Sequence, residues 1–302
     1  MRKVIEMAAI ESAAKVTKED IKFSLELMDI RKGDVLLVHS ALSSIGFVDG
    51  GAEAVIDALL ETVGEEGTIV MSTLTGWFEP FDAETTPSAV GKISEQFRKR
   101  KAALRSLHPV HSVAAIGKYA RDITQGHEKC KTGCGEGTPY LKIRDLGGKV
   151  MLLGVDMDRN TIMHSLEEEI NALYLRTLDI PAPTYIEGHE GKTFTLKKFP
   201  PGHRDFIGFT PILRKKDALI EGRIGNAEVK VMDIRKLFEV GLEALKQDPL
   251  LFICHNENCN SCHWSRALYG HEEIDYSRYE GNGCNDGDCE ICVVKAEERG
   301  NV

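Results

Sequence analysis

At 302 residues, with 42% apolar and 28% charged residues, the chain can build a large core, and it lacks any stretch near the ~20 apolar residues of a membrane-spanning helix. Its 38 basic residues are outnumbered by 47 acidic ones, and a net charge of −9 argues against binding a phosphate backbone, so nucleic acid is excluded as the main partner. That charge suits a cationic small molecule and serves solubility equally well.

Glu6 and Glu11 interrupt the N-terminal region before an apolar run can form, so no secretory signal is expected and the cytoplasm is the expected compartment. Thr17-Lys18-Glu19-Asp20 reads as a helix cap with acidic residues in the first turn, and Ile21, Leu25, Leu27 and Met28 continue a helix over about 18–30. Asp34 to His39 is a short apolar run rich in branched residues, the pattern of a strand covered on both faces. Gly50-Gly51 then opens a helix that ends at Gly64, and Thr68 to Ser72 returns to strand character, completing a strand–helix–strand unit. Further strands are predicted at Ser112–Ile116 and Lys149–Leu153, with helices near 88–101 and 138–145 between them. This alternation predicts an α/β three-layer sandwich with a largely parallel central sheet. From 176 to 230, prolines at 181, 183, 200 and 201 and short alternating runs such as Lys192–Leu196 predict inserted hairpins, a natural place for substrate specificity. Asp233–Gln247 is an amphipathic helix, and Leu250–Ile253 reads as a closing strand. The expected division is an α/β domain over 1–253 and a Cys-rich extension over 254–302.

Three segments carry chemistry. The loop from His39 through Ser40, Ser43 and Gly46 to Gly50-Gly51 follows a strand end and offers hydroxyls and backbone N–H groups to a phosphate- or pantetheine-like ligand; a purely structural tight turn fits it as well. Arg105, Ser106, His108 and His111 crowd polar groups before an apolar strand, where Arg105 could pair with a phosphate and either histidine could serve a site or simply be satisfied internally. Asn160 or Thr161 can cap a helix that puts Glu167 and Glu168 at three- and four-residue spacing from His164. A carboxylate beside an imidazole fixes its tautomer and raises its proton affinity, as a general base acting on an amine requires; a charged helix start is the alternative reading.

The run VHSALSSIGFVDGGAEAVIDALLETVGEEGTIVMSTLT, followed in order by TPSAVGKISEQFR, RSLHPVHSVAAIG, GCGEGTPYLKI, LLGVDMDRNTIMHSLEEE and GRIGNAEVKVMDIRKLFEVGLEALKQDP, resembles the aminoglycoside 3-N-acetyltransferase family over roughly 15–250. The resemblance implies an acetyl-CoA donor, a fold peculiar to that family, and acetyl transfer to an amino group of an aminoglycoside or similar cationic amine. It also implies that His164 and Glu167 are catalytic, matching the family's Thr-x-x-His-x-x-Glu segment, and that the coenzyme lies near His39, Ser40, Ser43, Gly46, Gly50, Gly51, Thr73, Arg105, Ser106 and His108. Ala41 departs from the second serine common in such loops.

Six of the eight cysteines stand at Cys254, Cys259, Cys262, Cys284, Cys289 and Cys292, one spacing used twice. In a reducing compartment this predicts thiolate ligation of zinc; an iron–sulfur cluster is the second reading and disulfides or free thiols the third. Transfer chemistry needs no such metal, so the extension is expected to act in structure, homodimer formation or regulation. The competing functional reading is a catalytically silent scaffold reused as a metal- or redox-responsive binding protein.

Overall fold

The computed structural model describes residues 15–75, 81–181, 193–198, 204–254 and 260–270. In chain order these form α1 (Lys18–Leu27), β1 (Val35–Ser40), α2 (Leu42–Ile45), α3 (Gly51–Val63), β2 (Thr68–Ser72), α4 (Lys92–Arg98), β3 (Leu104–Arg105), β4 (Val113–Gly117), α5 (Ala120–Thr124), α6 (Pro139–Asp145), β5 (Lys149–Leu153) and α7 (Met163–Glu169). There follow β6 (Arg176–Pro181), β7 (Thr193–Lys198), α8 (Thr210–Lys215), β8 (Ile220–Ile224), β9 (Ala227–Asp233), α9 (Ile234–Gln247) and α10 (Asn260–Gly270). Among them no helix is long and apolar enough to cross a membrane.

The main sheet has seven strands in the order β3-β4-β2-β1-β5-β9-β8. Only β1 pairs in parallel, with β2 on one side and β5 on the other; the remaining four pairings are antiparallel. The expected largely parallel sheet is therefore corrected to a mixed sheet with a parallel centre. The reason is physical. An apolar run reports burial on both faces, which helices on either side of β1 and β2 provide, and says nothing of the neighbour's direction.

Three layers do form. Because side chains alternate across a strand, Leu36, Val38, Ile69, Met71, Met151 and Leu153 meet α1, α3 and α4, while Val35, Leu37, Val70, Val150 and Leu152 meet α6, α7 and α9. Each such side chain taken wholly out of water contributes roughly 1.5–3 kcal/mol before the entropy of ordering is subtracted. α1 starts with a complete capping box, Thr17 accepting from Asp20 N at 3.2 Å while Asp20 accepts from Thr17 N at 2.9 Å. α9 is capped by Asp233, which accepts from Lys236 N at 2.8 Å.

The 176–230 segment is only partly an insertion. β6 and β7 pair as a separate antiparallel hairpin, but β8 and β9 extend the main sheet. Leu250–Ile253 is a turn and not a strand, closed by Ile253 N donating to Leu250 O at 2.8 Å; its apolar side chains fill a core without pairing. Of the six tail cysteines, Cys254 and Cys262 are described and buried, and Cys259, Cys284, Cys289 and Cys292 lie outside the described residues. Among the described residues no group of three or more His, Cys, Asp or Glu side chains could hold a metal ion.

Candidate active site

The parallel strands β1, β2 and β5 point their carboxyl ends the same way, and loops leaving such ends bound a crevice. After β1 the chain turns at once into α2, whose Ser44 hydroxyl donates to Gly154 O at 2.9 Å, tying the loop after β1 to the loop after β5. Gly154 has φ +67°, and a Cβ there would sit 2.5 Å from Ser44 Cβ, so only glycine allows this approach. The crevice is a cavity of about 830 Å³ whose wall includes His39, Ser40, Ser43, Gly46, Lys92, Asp158, Arg159, Asn160 and His164.

His164 stands in the first turn of α7, its Nδ1 2.6 Å from Glu167 Oε2. Glu167 is fully buried, and its Oε1 accepts from Arg204 Nε at 2.5 Å. Burial alone would push this carboxyl up, but the Arg204 guanidinium and the bond to His164 outweigh it and hold it below its ordinary value. An ionised carboxylate can only accept, so Nδ1 of His164 is the donor and the lone pair of the neutral ring lies on Nε2. Phe206 packs edge-on against the imidazole at 5.1 Å, and the Arg204 guanidinium lies over the Tyr174 ring at 4.9 Å.

Elsewhere in the cavity lining, burial lowers the His39 imidazole to about 4, so it is neutral at pH 7. His39 Nε2, Ser40 Oγ and Asn160 Oδ1 are buried without a hydrogen-bond partner among the described residues. A buried polar atom left unpaired costs about 1–3 kcal/mol, and three among the residues of one cavity lining mark a surface suited to a polar ligand.

The sequence profile of the aminoglycoside 3-N-acetyltransferase family matches residues 37–246, from within β1 to the last turn of α9. The chain belongs to this family. It is 31% identical over 238 residues to aminoglycoside N(3)-acetyltransferase III of Salmonella sp, covering 71% of this chain and 81% of that one. It is 35% identical over 213 residues to an aminoglycoside N(3')-acetyltransferase-like protein, YokD, of Bacillus subtilis (strain 168), covering 62% and 76%. A histidine-to-alanine variant of aminoglycoside acetyltransferase AAC(3)-IVa, solved in complex with a gentamicin, superposes with a TM-score of 0.76 at 27% identity, covering 85% of this chain and 98% of that one. The protein is thus an N-acetyltransferase, and the silent-scaffold reading finds no support in these relatives.

The residues expected around the coenzyme of this acetyltransferase separate into two groups. His39, Ser40, Ser43 and Gly46 line the cavity with His164. Gly50 and Gly51 do not; at φ +80° and +60° they make the turn into α3, which is the structural reading of that loop. Thr73, Arg105, Ser106 and His108 also stand off the cavity wall, in an internal network. Arg105 donates to Thr73 Oγ1 and Ser112 Oγ at 3.2 Å, to Thr73 O at 2.9 Å and to Thr86 O at 2.5 Å, with its guanidinium over the Phe81 ring at 4.8 Å. Those bonds engage Nε, Nη1 and Nη2 of Arg105 within the protein. Ser106 Oγ meets His127 Nδ1 at 2.9 Å, and His108 Nδ1 accepts from Val110 N and His111 N, so these groups brace the approach to β4. The expected cap at Asn160 or Thr161 is also displaced. The residue before α7 is Ile162, which makes no side-chain cap bond. Glu168 turns from His164 toward the Cys130–Gly137 loop, where a Cβ on Gly135 would meet its Oε2 at 2.2 Å. Sequence reasoning missed Arg204, Lys92 and Arg159: Lys92 and Arg159 stand inside the runs TPSAVGKISEQFR and LLGVDMDRNTIMHSLEEE but carry no pattern of their own, and no motif surrounds Arg204.

Proposed function

We propose that this acetyltransferase moves the acetyl group of acetyl-CoA onto an amino group of an aminoglycoside or similar cationic amine, with His164 as general base. The observation that carries the reading is the 2.6 Å contact between Nδ1 of His164, on the wall of the cavity, and the fully buried Glu167 carboxylate behind it. It leaves Nε2 to take a proton from the attacking amine, and the Glu167 carboxylate stabilises the imidazolium that results.

Acetyl-CoA supplies an activated thioester, so no covalent enzyme intermediate is needed. The chain's part is to hold and to polarise. The unpaired groups of His39, Ser40 and Asn160 fit a ligand that both donates and accepts hydrogen bonds, as the amide-bearing arm of the coenzyme does. Lys92 and Arg159, the cationic side chains of the wall, are suited to its phosphates. Hydroxyls of Ser40 and Ser43 and nearby backbone N–H groups are the candidates to stabilise negative charge developing on the carbonyl oxygen. The acceptor class follows from the relatives' substrates and from a chain charge of −9, which favours a polycation.

The test is to incubate the protein with isotopically labelled acetyl-CoA and a panel of aminoglycosides and simple amines, and to look for N-acetylated product by mass spectrometry. Labelled amide on one or more panel members is expected; unmodified amines throughout, with the coenzyme bound, would overturn the reading.

A further inference from the structure

Glu167 uses both of its oxygens. Oε2 faces His164 and Oε1 faces Arg204, so the carboxylate plane is held at two points and cannot swing about its terminal bond while keeping both partners. Arg204 is itself only 8% exposed, and part of what surrounds it comes from a stretch of chain outside the family match. Its guanidinium lies on Tyr174, which is fully buried in a small core of its own with Ala172, Ile253, Cys254 and Cys262, separate from both faces of the sheet. Cys262 is on α10 and within electrostatic reach of Arg204. Tyr269, also on α10, sets its ring 6.2 Å from that of Tyr174, and its hydroxyl accepts from Leu173 N at 3.2 Å. Arg266 of the same helix donates to Cys254 O at 2.5 Å. α10 is thus pinned along its length against the wall behind Arg204, whereas the family match ends at residue 246.

We propose that Arg204 is a positioning residue of the transfer site and that α10 holds it there, so that the C-terminal segment of this chain fixes the tautomer of His164 through Tyr174, Arg204 and Glu167. The inference rests on the transferase reading for its kinetic consequence but not for its structural one. If Arg204 served only to neutralise a buried charge, its loss would lower stability and leave turnover per folded molecule unchanged.

The experiment compares full-length wild type with Arg204→Met, Arg204→Lys and Tyr269→Leu. It measures kcat and KM for amine-dependent thiol release, the melting temperature, and the downfield proton resonance of the His164 Nδ1–H. Arg204→Met is expected to lower kcat about a hundredfold with both KM values within about twofold, the size of a general base left mispositioned, while Arg204→Lys recovers about tenfold of that and Tyr269→Leu loses about tenfold. The Nδ1–H resonance should weaken or shift in the same rank order. Wild-type kcat per folded molecule in Arg204→Met would overturn the proposal, as would a rise in KM at constant kcat, or an unaltered resonance and rate in Tyr269→Leu. Should Arg204→Met fail to fold, Arg204→Lys and Tyr269→Leu carry the same test. No thiol release by wild type with any amine would sink the transferase reading alone, since the resonance still decides whether α10 and Arg204 hold His164.

Discussion

Replacing Glu167 by Gln keeps the shape of the side chain and removes one charge, and the geometry dictates why that is costly. Both carboxylate oxygens are acceptors, one toward His164 Nδ1 at 2.6 Å and one toward Arg204 Nε at 2.5 Å. A carboxamide has one oxygen and one NH2. If the NH2 faces Arg204, two donors oppose each other at a buried guanidinium; if it faces His164, the imidazole must carry its proton on Nε2 and the base is lost. Breaking a buried pair costs about 3–5 kcal/mol, and because Gln still satisfies one partner we expect about 3 kcal/mol. For a chain of 302 residues that is a melting temperature lower by roughly 5 °C. The loss of the correct tautomer should lower kcat by about 10²–10⁴ while KM for the coenzyme, whose proposed contacts are with other residues of the cavity, stays near wild type. Differential scanning calorimetry and steady-state thiol release measure the two effects. A Glu167→Gln variant that keeps kcat within about twofold of wild type would refute the assignment of Glu167 as the group that fixes His164.

Other consequences can be checked in parallel. His39 is held at about 4, and His111 and His127 at about 3, in each case first by burial, against an ordinary value of 6.5. Below 6.5 the unfolded chain therefore binds protons that the folded chain refuses, so stability is full above pH 6.5 and falls as the pH drops toward 3. At ~1.4 kcal/mol per pH unit, each of the three costs about 2 kcal/mol by about pH 5, and a urea midpoint that is the same at pH 7 and pH 5 would contradict this. Gly117 has φ +128°, and a Cβ there would lie 2.2 Å from Gly67 O, so Gly117→Ala should destabilise by roughly 3 kcal/mol, read from urea unfolding. Lys92→Ala and Arg159→Ala should each raise KM for acetyl-CoA by about tenfold with little change in kcat, and the effect should shrink for a truncated pantetheine thioester that lacks the phosphates.

Much of this was legible in sequence because it is local. The capping box at Thr17, the glycine that stops α3 and the amphipathic run of α9 are set by residues within one or two helical turns, and they stand where the pattern put them. The His164–Glu167 pair was readable for the same reason: three-residue spacing on a helix brings two side chains together. What was not legible depends on distant pairing. β4 and β9 run antiparallel to their neighbours after long excursions of the chain, and the apolar content of a strand is the same whichever way it runs. Arg204 comes 37 residues after its partner and follows a proline-rich stretch, so nothing near it announces a buried ion pair. Arg105, expected to pair with a phosphate, illustrates the converse. An arginine beside serines and histidines looks available until the fold supplies carbonyl oxygens that occupy its donors.

The role of His164 is tested most directly by amine-dependent thiol release from acetyl-CoA, comparing wild type with His164→Ala at equal folded concentration and with coenzyme binding measured alongside. Wild type should release thiol only when a cationic amine is present, and His164→Ala should bind the coenzyme with unchanged affinity but turn over about 10²–10⁴ times more slowly. Turnover by His164→Ala at the wild-type rate would contradict a general base at this position.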